Sequence, residues 1–118
     1  LAQRGASVCH CPISNMKLSS GVMPLVKLLK AGVNVCLGTD GACSNNTLDM
    51  FEEMKTAALL HKISSFNPTV ASAQTILDMA TLNGAKALGL EKEIDSIEKG
   101  KKADLIINVG HDIVEKPP

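Results

Sequence analysis

Two short apolar runs, Ala6 to Cys11 (ASVCHC) and Val33 to Leu37 (VNVCL), flank a segment with helical periodicity, and that order leaves few ways to fold. The first run is stopped by Pro12, which has no N–H to give to a central ladder. The second is rich in β-branched residues and opens onto the glycine-flanked segment GTDG. Between them a loop, PISNMKLSSG, leads into apolar residues at Val22, Leu25, Val26 and Leu29, the spacing of one helix face. Pro24 suits the first turn of that helix, and Gly32 is placed to end it in a left-handed cap. Strand, helix and strand in this order make one right-handed βαβ unit with parallel strands.

A longer helix is expected from about Leu48, with Asn46 or Thr47 available as its cap and Asp49 set to favour its positive end. Met50, Phe51, Met54, Ala57 and Ala58 form its predicted apolar face, and Glu52, Glu53, Lys55 and Thr56 its wet side. After a break at Asn67 and Pro68, two further helices are expected over Ala73–Ala80 and Leu82–Leu88, the second closed by Gly89. A charged turn around Gly100 then precedes an apolar run, Ala103 to Val109, that reads as a strand of a different sheet. The tail from Gly110 to Pro118 is expected to be poorly ordered.

With 45% hydrophobic and 20% charged residues, the 118-residue chain has the composition of a folded soluble piece with one core. Twelve basic residues balance twelve acidic ones, so no net field draws in nucleic acid or an anionic membrane. The two aromatic residues, Phe51 and Phe66, do not make the stacking platforms of single-strand binders. No apolar stretch reaches the roughly 20 residues of a membrane span. The four cysteines form no CxxC pair and follow no secretory signal, the usage of reduced thiols in a cytoplasmic protein. The start at Leu1, without an initiator Met, predicts that the chain is part of a longer polypeptide.

In parallel α/β folds the reacting groups sit on loops after the carboxyl ends of strands. Two such loops are present: one begins at Pro12, the other runs from Gly38 to Asn46. Asp40, flanked by Gly38 and Gly41 at a strand end, is the foremost candidate for a site carboxylate, with a solvent-facing turn aspartate as the equal alternative. Ser14, Asn15, Ser44, Asn45 and Asn46 are read as shaping those loops. His10 is expected to pack in the core or behind the site, and His61 to complement the dipole at a helix end. Cys9, His10 and Cys11 are not expected to share a metal, since consecutive strand residues point to opposite faces. No GK[ST], GxGxxG or GxSxG occurs, which disfavours a nucleotide cradle or a nucleophile elbow.

The segments HCPISNMKLSSG, LLKAGVNVCLGTDGACSNNTLDMFEEMKTAALL, MATLNGAKALGL and SIEKGKKADLI together resemble the amidohydrolase superfamily. The likeness is to its aminohydrolase branch, which includes deaminases of 5-methylthioadenosine and S-adenosylhomocysteine, chlorohydrolases and guanine deaminases. It covers nearly the whole chain to about Val109. It implies an α/β fold made of the last two βα units of a (β/α)8 TIM-type barrel, with Ser7–His10 as its seventh strand and Val33–Leu37 as its eighth. Residues 1–90 would belong to the barrel, 91–110 to a segment of the accompanying β-sandwich, and 111–118 to a tail.

The resemblance also implies one divalent metal, zinc or else iron. Its family ligands are a His-x-His pair, a further histidine and the aspartate after the eighth strand; only the last falls on this sequence, at Asp40. That aspartate would ligate the metal, take a proton from the activated water and hand it to the departing amine of a small purine nucleoside. The complete enzyme would be a homo-oligomer. A full barrel takes about 250 residues, so this chain cannot close one and is expected to be inactive alone, with an exposed strand edge. The alternative is a non-catalytic α/β module that binds another chain.

Overall fold

The computed structural model describes residues 1–107. A 3-10 turn at Ala2–Arg4 leads into β1 (Ser7–His10), α1 (Pro12–Lys17), α2 (Leu25–Lys30), β2 (Asn34–Leu37), α3 (Met50–Ser64), α4 (Ala73–Ala80) and α5 (Leu82–Leu88). β1 and β2 pair in parallel, with Ser7 opposite Asn34 and His10 opposite Leu37. The βαβ unit expected from the two apolar runs is therefore present.

The crossover differs from expectation at its start. Residues after Pro12, read as loop, form α1, with Pro12 at its first position. There the missing N–H costs no helical bond and the fixed φ is already helical, so one proline ends the strand and begins the helix. α2 is shorter than its apolar spacing suggested, with Pro24 at its N-cap. Its end is as expected: Gly32 takes φ 71°, and its N–H and that of Val33 donate to Leu29 and Leu28. These two bonds satisfy carbonyls that the helix itself leaves free.

Asp49, rather than Asn46 or Thr47, caps α3. Its Oδ1 accepts from the N–H of Phe51 at 2.8 Å and of Glu52 at 3.4 Å. The face that α3 buries also departs from its apolar pattern: Glu53, Ala57 and His61 are buried, while Phe51 is half exposed. A buried carboxylate is tolerable where hydrogen bonds replace its water, and Glu53 has two such donors, described below.

Leu25, Val33, Val35, Leu37, Ala57, Ala71, Ile76 and Met79 form the core between β2 and the helices. α5 adds a polar clasp on β2. Asn83 Nδ2 donates to the Val35 carbonyl at 2.8 Å, and Asn34 Nδ2 donates back to the Asn83 carbonyl at 3.0 Å. A β2 carbonyl otherwise open to a further strand is thereby occupied.

Residues 103–107 do not form the expected strand. They have no regular secondary structure, and Leu105, Ile106 and Ile107 are exposed. A strand needs a partner for its backbone groups, and the sheet of the described residues consists of β1 and β2 alone. The rest of that predicted strand, the tail and His111 lie outside the described residues. Among the described residues no helix is long and apolar enough to cross a membrane.

Candidate active-site carboxylate

Asp40 sits three residues beyond β2, in the left-handed region at φ 60°. An L-residue is sterically strained in that conformation, aspartate less than most, and such positions persist where the surroundings over-determine them. Here the surroundings are two serines. Ser14 Oγ, buried on α1, donates to Asp40 Oδ2 at 2.6 Å, and Ser44 Oγ donates to the same oxygen at 2.8 Å. These hydroxyls, with the Gly41 backbone N–H, hold the exposed carboxyl below the ordinary aspartate range; at neutral pH it is ionised, as an unperturbed exposed aspartate also is.

The structure thus brings Ser14 and Ser44, read as loop-shaping residues, onto the candidate carboxylate itself. Ser44 Oγ also lies 3.1 Å from the Gly41 carbonyl, a longer alternative acceptor for its one hydrogen within the loop. Asn46 does serve the loop: its Oδ1 accepts from Lys17 Nζ at 2.7 Å, and the same ammonium donates to the Cys43 carbonyl at 2.8 Å. α1 is in this way tied to the segment after β2.

Beneath the loop lies Glu53. Its Oε2 accepts from the Ile13 N–H at 3.3 Å, and its Oε1 accepts from Asn45 Nδ2. Burial pushes its carboxyl above the usual range, against the pull of the Ile13 N–H and Asn45. His61, expected at a solvated helix end, is also buried, with Nε2 2.9 Å from Nε2 of His10 and ring centroids 4.9 Å apart. Burial lowers both imidazoles, His10 to about 4 with a contribution from His61. One sequence signal could have found this arrangement: Glu53, Ala57 and His61 recur every four residues, on a single stripe of α3.

The thiols cluster on the strand pair. A Cβ placed on Gly38 would lie 2.6 Å from Cys9 Sγ and 3.4 Å from Cys11 Sγ, so the bare glycine leaves room for both. Burial and the Cys9 thiol push Cys11 up to about 12 and Cys36 up to about 11, so both are neutral thiols at physiological pH. Among the described residues no group of three or more His, Cys, Asp or Glu is arranged to hold a metal ion. Asp40 nevertheless fits as one corner of a metal site: it is ionised and exposed, and no side-chain donor of the described residues reaches Oδ1. An apolar groove of about 740 Å³ lies instead beside Leu59, Ile63 and Phe66, and Asp40 does not line it.

The amidohydrolase family matches residues 1–115. The chain is 61% identical over 107 residues to a 5'-deoxyadenosine deaminase of Methanosarcina acetivorans, covering 91% of this chain and 24% of the relative. It is 62% identical over 107 residues to a 5-methylthioadenosine/S-adenosylhomocysteine deaminase of Moorella thermoacetica, covering 91% and 25%. Among solved structures, an adenosine deaminase from Xanthomonas campestris with bound zinc superposes with a TM-score of 0.84 at 54% identity, over 87% of this chain and 24% of that one. The chain therefore spans about a quarter of the length of the relatives it matches.

Proposed function

The chain belongs to the amidohydrolase family, and on that premise we propose that it supplies the Asp40 carboxylate to a metal-dependent deaminase of adenine nucleosides altered at the 5' position. The observation that carries this reading is the pair of hydroxyls, Ser14 and Ser44, that converge on one oxygen of Asp40 at the carboxyl end of β2. The names of the relatives support the substrate class: 5'-deoxyadenosine, 5-methylthioadenosine and S-adenosylhomocysteine share the adenine amino group and differ at the 5' carbon. In this reading β1 and β2 are the seventh and eighth strands of a (β/α)8 barrel, residues 1–90 belong to it, and residues 91–110 join a β-sandwich.

Asp40 would hold the divalent metal through one carboxylate oxygen, alongside ligands from elsewhere in the complete enzyme. Zinc is favoured by the zinc-bound Xanthomonas structure. When bound, such a metal lowers the pKa of water toward about 7 and so makes a nucleophile available at neutral pH. The work of this chain is proton handling. The carboxylate accepts a proton from the attacking water and returns it to the departing amine, so that the C–N bond is replaced by a C–O bond and ammonia leaves. Two hydroxyl donors on Oδ2 keep the carboxylate oriented through both transfers. By itself the chain is proposed to be inactive, because a catalytic zinc is held by several protein ligands and Asp40 is one.

The test is a chimera in which the matched 107-residue stretch replaces its counterpart in the Moorella deaminase. The chimera is expected to release ammonia from 5-methylthioadenosine, and Asp40→Asn in it to lower kcat by about 10²–10⁴-fold with the fold retained. Near-normal turnover of the Asp40→Asn chimera would overturn the assignment.

A further inference from the structure

Glu53 makes no hydrogen bond to Asp40, yet it is fully buried and its two oxygens are engaged by the two segments that carry the serines. Oε2 accepts from the backbone N–H of Ile13, the residue before Ser14. Oε1 accepts from the side chain of Asn45, the residue after Ser44. Ser14 and Ser44 are the two residues whose hydroxyls meet on Asp40 Oδ2, at 2.6 and 2.8 Å. We infer that Glu53 is the positioning residue for Asp40: one carboxylate, seated on α3, grips the neighbour of each serine and so fixes where the two hydroxyls converge.

The donors and acceptors leave one arrangement. A carboxylate only accepts, so Asn45 must turn its amide nitrogen toward Glu53, and its Oδ1 then faces the Thr47 N–H, 3.3 Å away. The Ile13 N–H belongs to the first turn of α1 and has no acceptor within that helix, so Glu53 satisfies a group that would otherwise be an unpaired donor. α1 and the loop after β2 are separate stretches of chain, tied at the surface by Lys17 and in the interior by Glu53. The buried tie, a shared acceptor on a third element, sets the spacing of Ser14 and Ser44, and with it which oxygen of Asp40 the two hydroxyls occupy. The importance of the other oxygen, which no side-chain donor of the described residues reaches, rests on the function proposed above; the clamp itself does not.

The polarity of the clamp gives its test. In Glu53→Gln the new amide can still accept from Ile13, but its nitrogen then opposes the nitrogen of Asn45. Adding Asn45→Asp reverses the second arm: the introduced amide donates to the introduced carboxylate, and the total charge returns to that of the parent chain. The experiment is nuclear magnetic resonance of the metal-free 118-residue chain with labelled aspartate γ-carbons, reading the Asp40 carboxyl shift at neutral pH and amide exchange at Ile13 and Asn45. In Glu53→Gln the Asp40 signal is expected to move toward that of a free aspartate, and the two amides to exchange about tenfold faster while Val35 and Leu37 keep their protection. The double variant is expected to restore both. An unmoved Asp40 signal in a folded Glu53→Gln chain, or no recovery in the double variant, overturns the proposal. If Glu53→Gln also strips protection from Val35 and Leu37, Asn45→Ala, which releases one arm only, takes its place, and an unmoved Asp40 signal there overturns it equally. Because no metal enters the measurement, a chimera that tolerates Asp40→Asn would refute the function while leaving the clamp intact.

Discussion

His10, the last residue of β1, and His61, in the last turn of α3, meet through their Nε2 atoms at 2.9 Å although they are 51 positions apart in the chain. Both are buried, and His10 Nδ1 has no hydrogen-bond partner. An unpaired buried N–H costs more than an unpaired acceptor. The arrangement therefore assigns the His10 proton to Nε2, which donates to His61, and leaves its Nδ1 as the bare acceptor. Burial keeps both rings neutral at physiological pH, and the contact is lost outright only when both are protonated, because two imidazolium rings set one N–H against the other.

That neutrality makes stability depend on acid. Unfolded, His10 takes up a proton near 6.5; folded, it does so only near 4. Between these values the unfolded state binds more protons, so the contribution is complete above about 6.5 and is lost as pH falls toward 4. His10→Gln, which keeps an amide near the Nε2 position without titrating, should abolish the His10 share of the loss and leave that of His61, which burial also lowers. From about pH 7 to about pH 5 the parent chain should lose roughly 2 kcal/mol more than the variant in urea unfolding. Glu53, whose carboxyl burial pushes up, acts in the opposite sense but in both chains alike. Parallel pH profiles of the two chains would contradict the pairing.

Gly38 faces the thiols beside it. Gly38→Ala puts a methyl 2.6 Å from Cys9 Sγ, but that sulfur ends an exposed side chain that can turn aside, so the cost should be about 1 kcal/mol or less. Cys9→Ala in the same chain removes the clashing sulfur and should recover most of the loss, a coupling that a double-mutant cycle reads directly. Strict additivity would show that some other feature of the loop demands glycine.

Asp49 caps the longest helix, so Asp49→Ala should cost about 1 kcal/mol, whereas Asn46→Ala, which removes no cap, should not affect the helix start. Thermal melts of both variants compare the two assignments; equal losses would refute the cap.

Met79 is fully buried in the core, and Met79→Ala should cost about 2–5 kcal/mol. Leu77→Ala, on the same helix but half exposed, should cost a fraction of that. Chemical denaturation of the two variants gives the comparison, and similar losses would mean that α4 is not packed as described.

Much of this was legible in the sequence because it is local. Proline after an apolar run, glycine after a helical one, and a second run rich in β-branched residues each act through their own backbone torsions, so the two parallel strands, the left-handed stop at Gly32 and the placement of Asp40 at a strand end could be read from residue order. What the tertiary structure alone decided is which polar groups can be buried. Periodicity puts Glu53 with the wet residues of α3 and His61 at a solvated helix end, since on their own they belong in water; Ile13, Asn45 and His10 supply the partners that let them leave it. For the same reason Ser14 and Ser44, which alone only cap and turn, became the donors on Asp40 once two distant loops were brought together. The apolar run after Ala103 makes the converse point: its composition favours a strand, but residues 103–107 pair with nothing among the described residues, because a strand is completed by its neighbour and not by its own side chains.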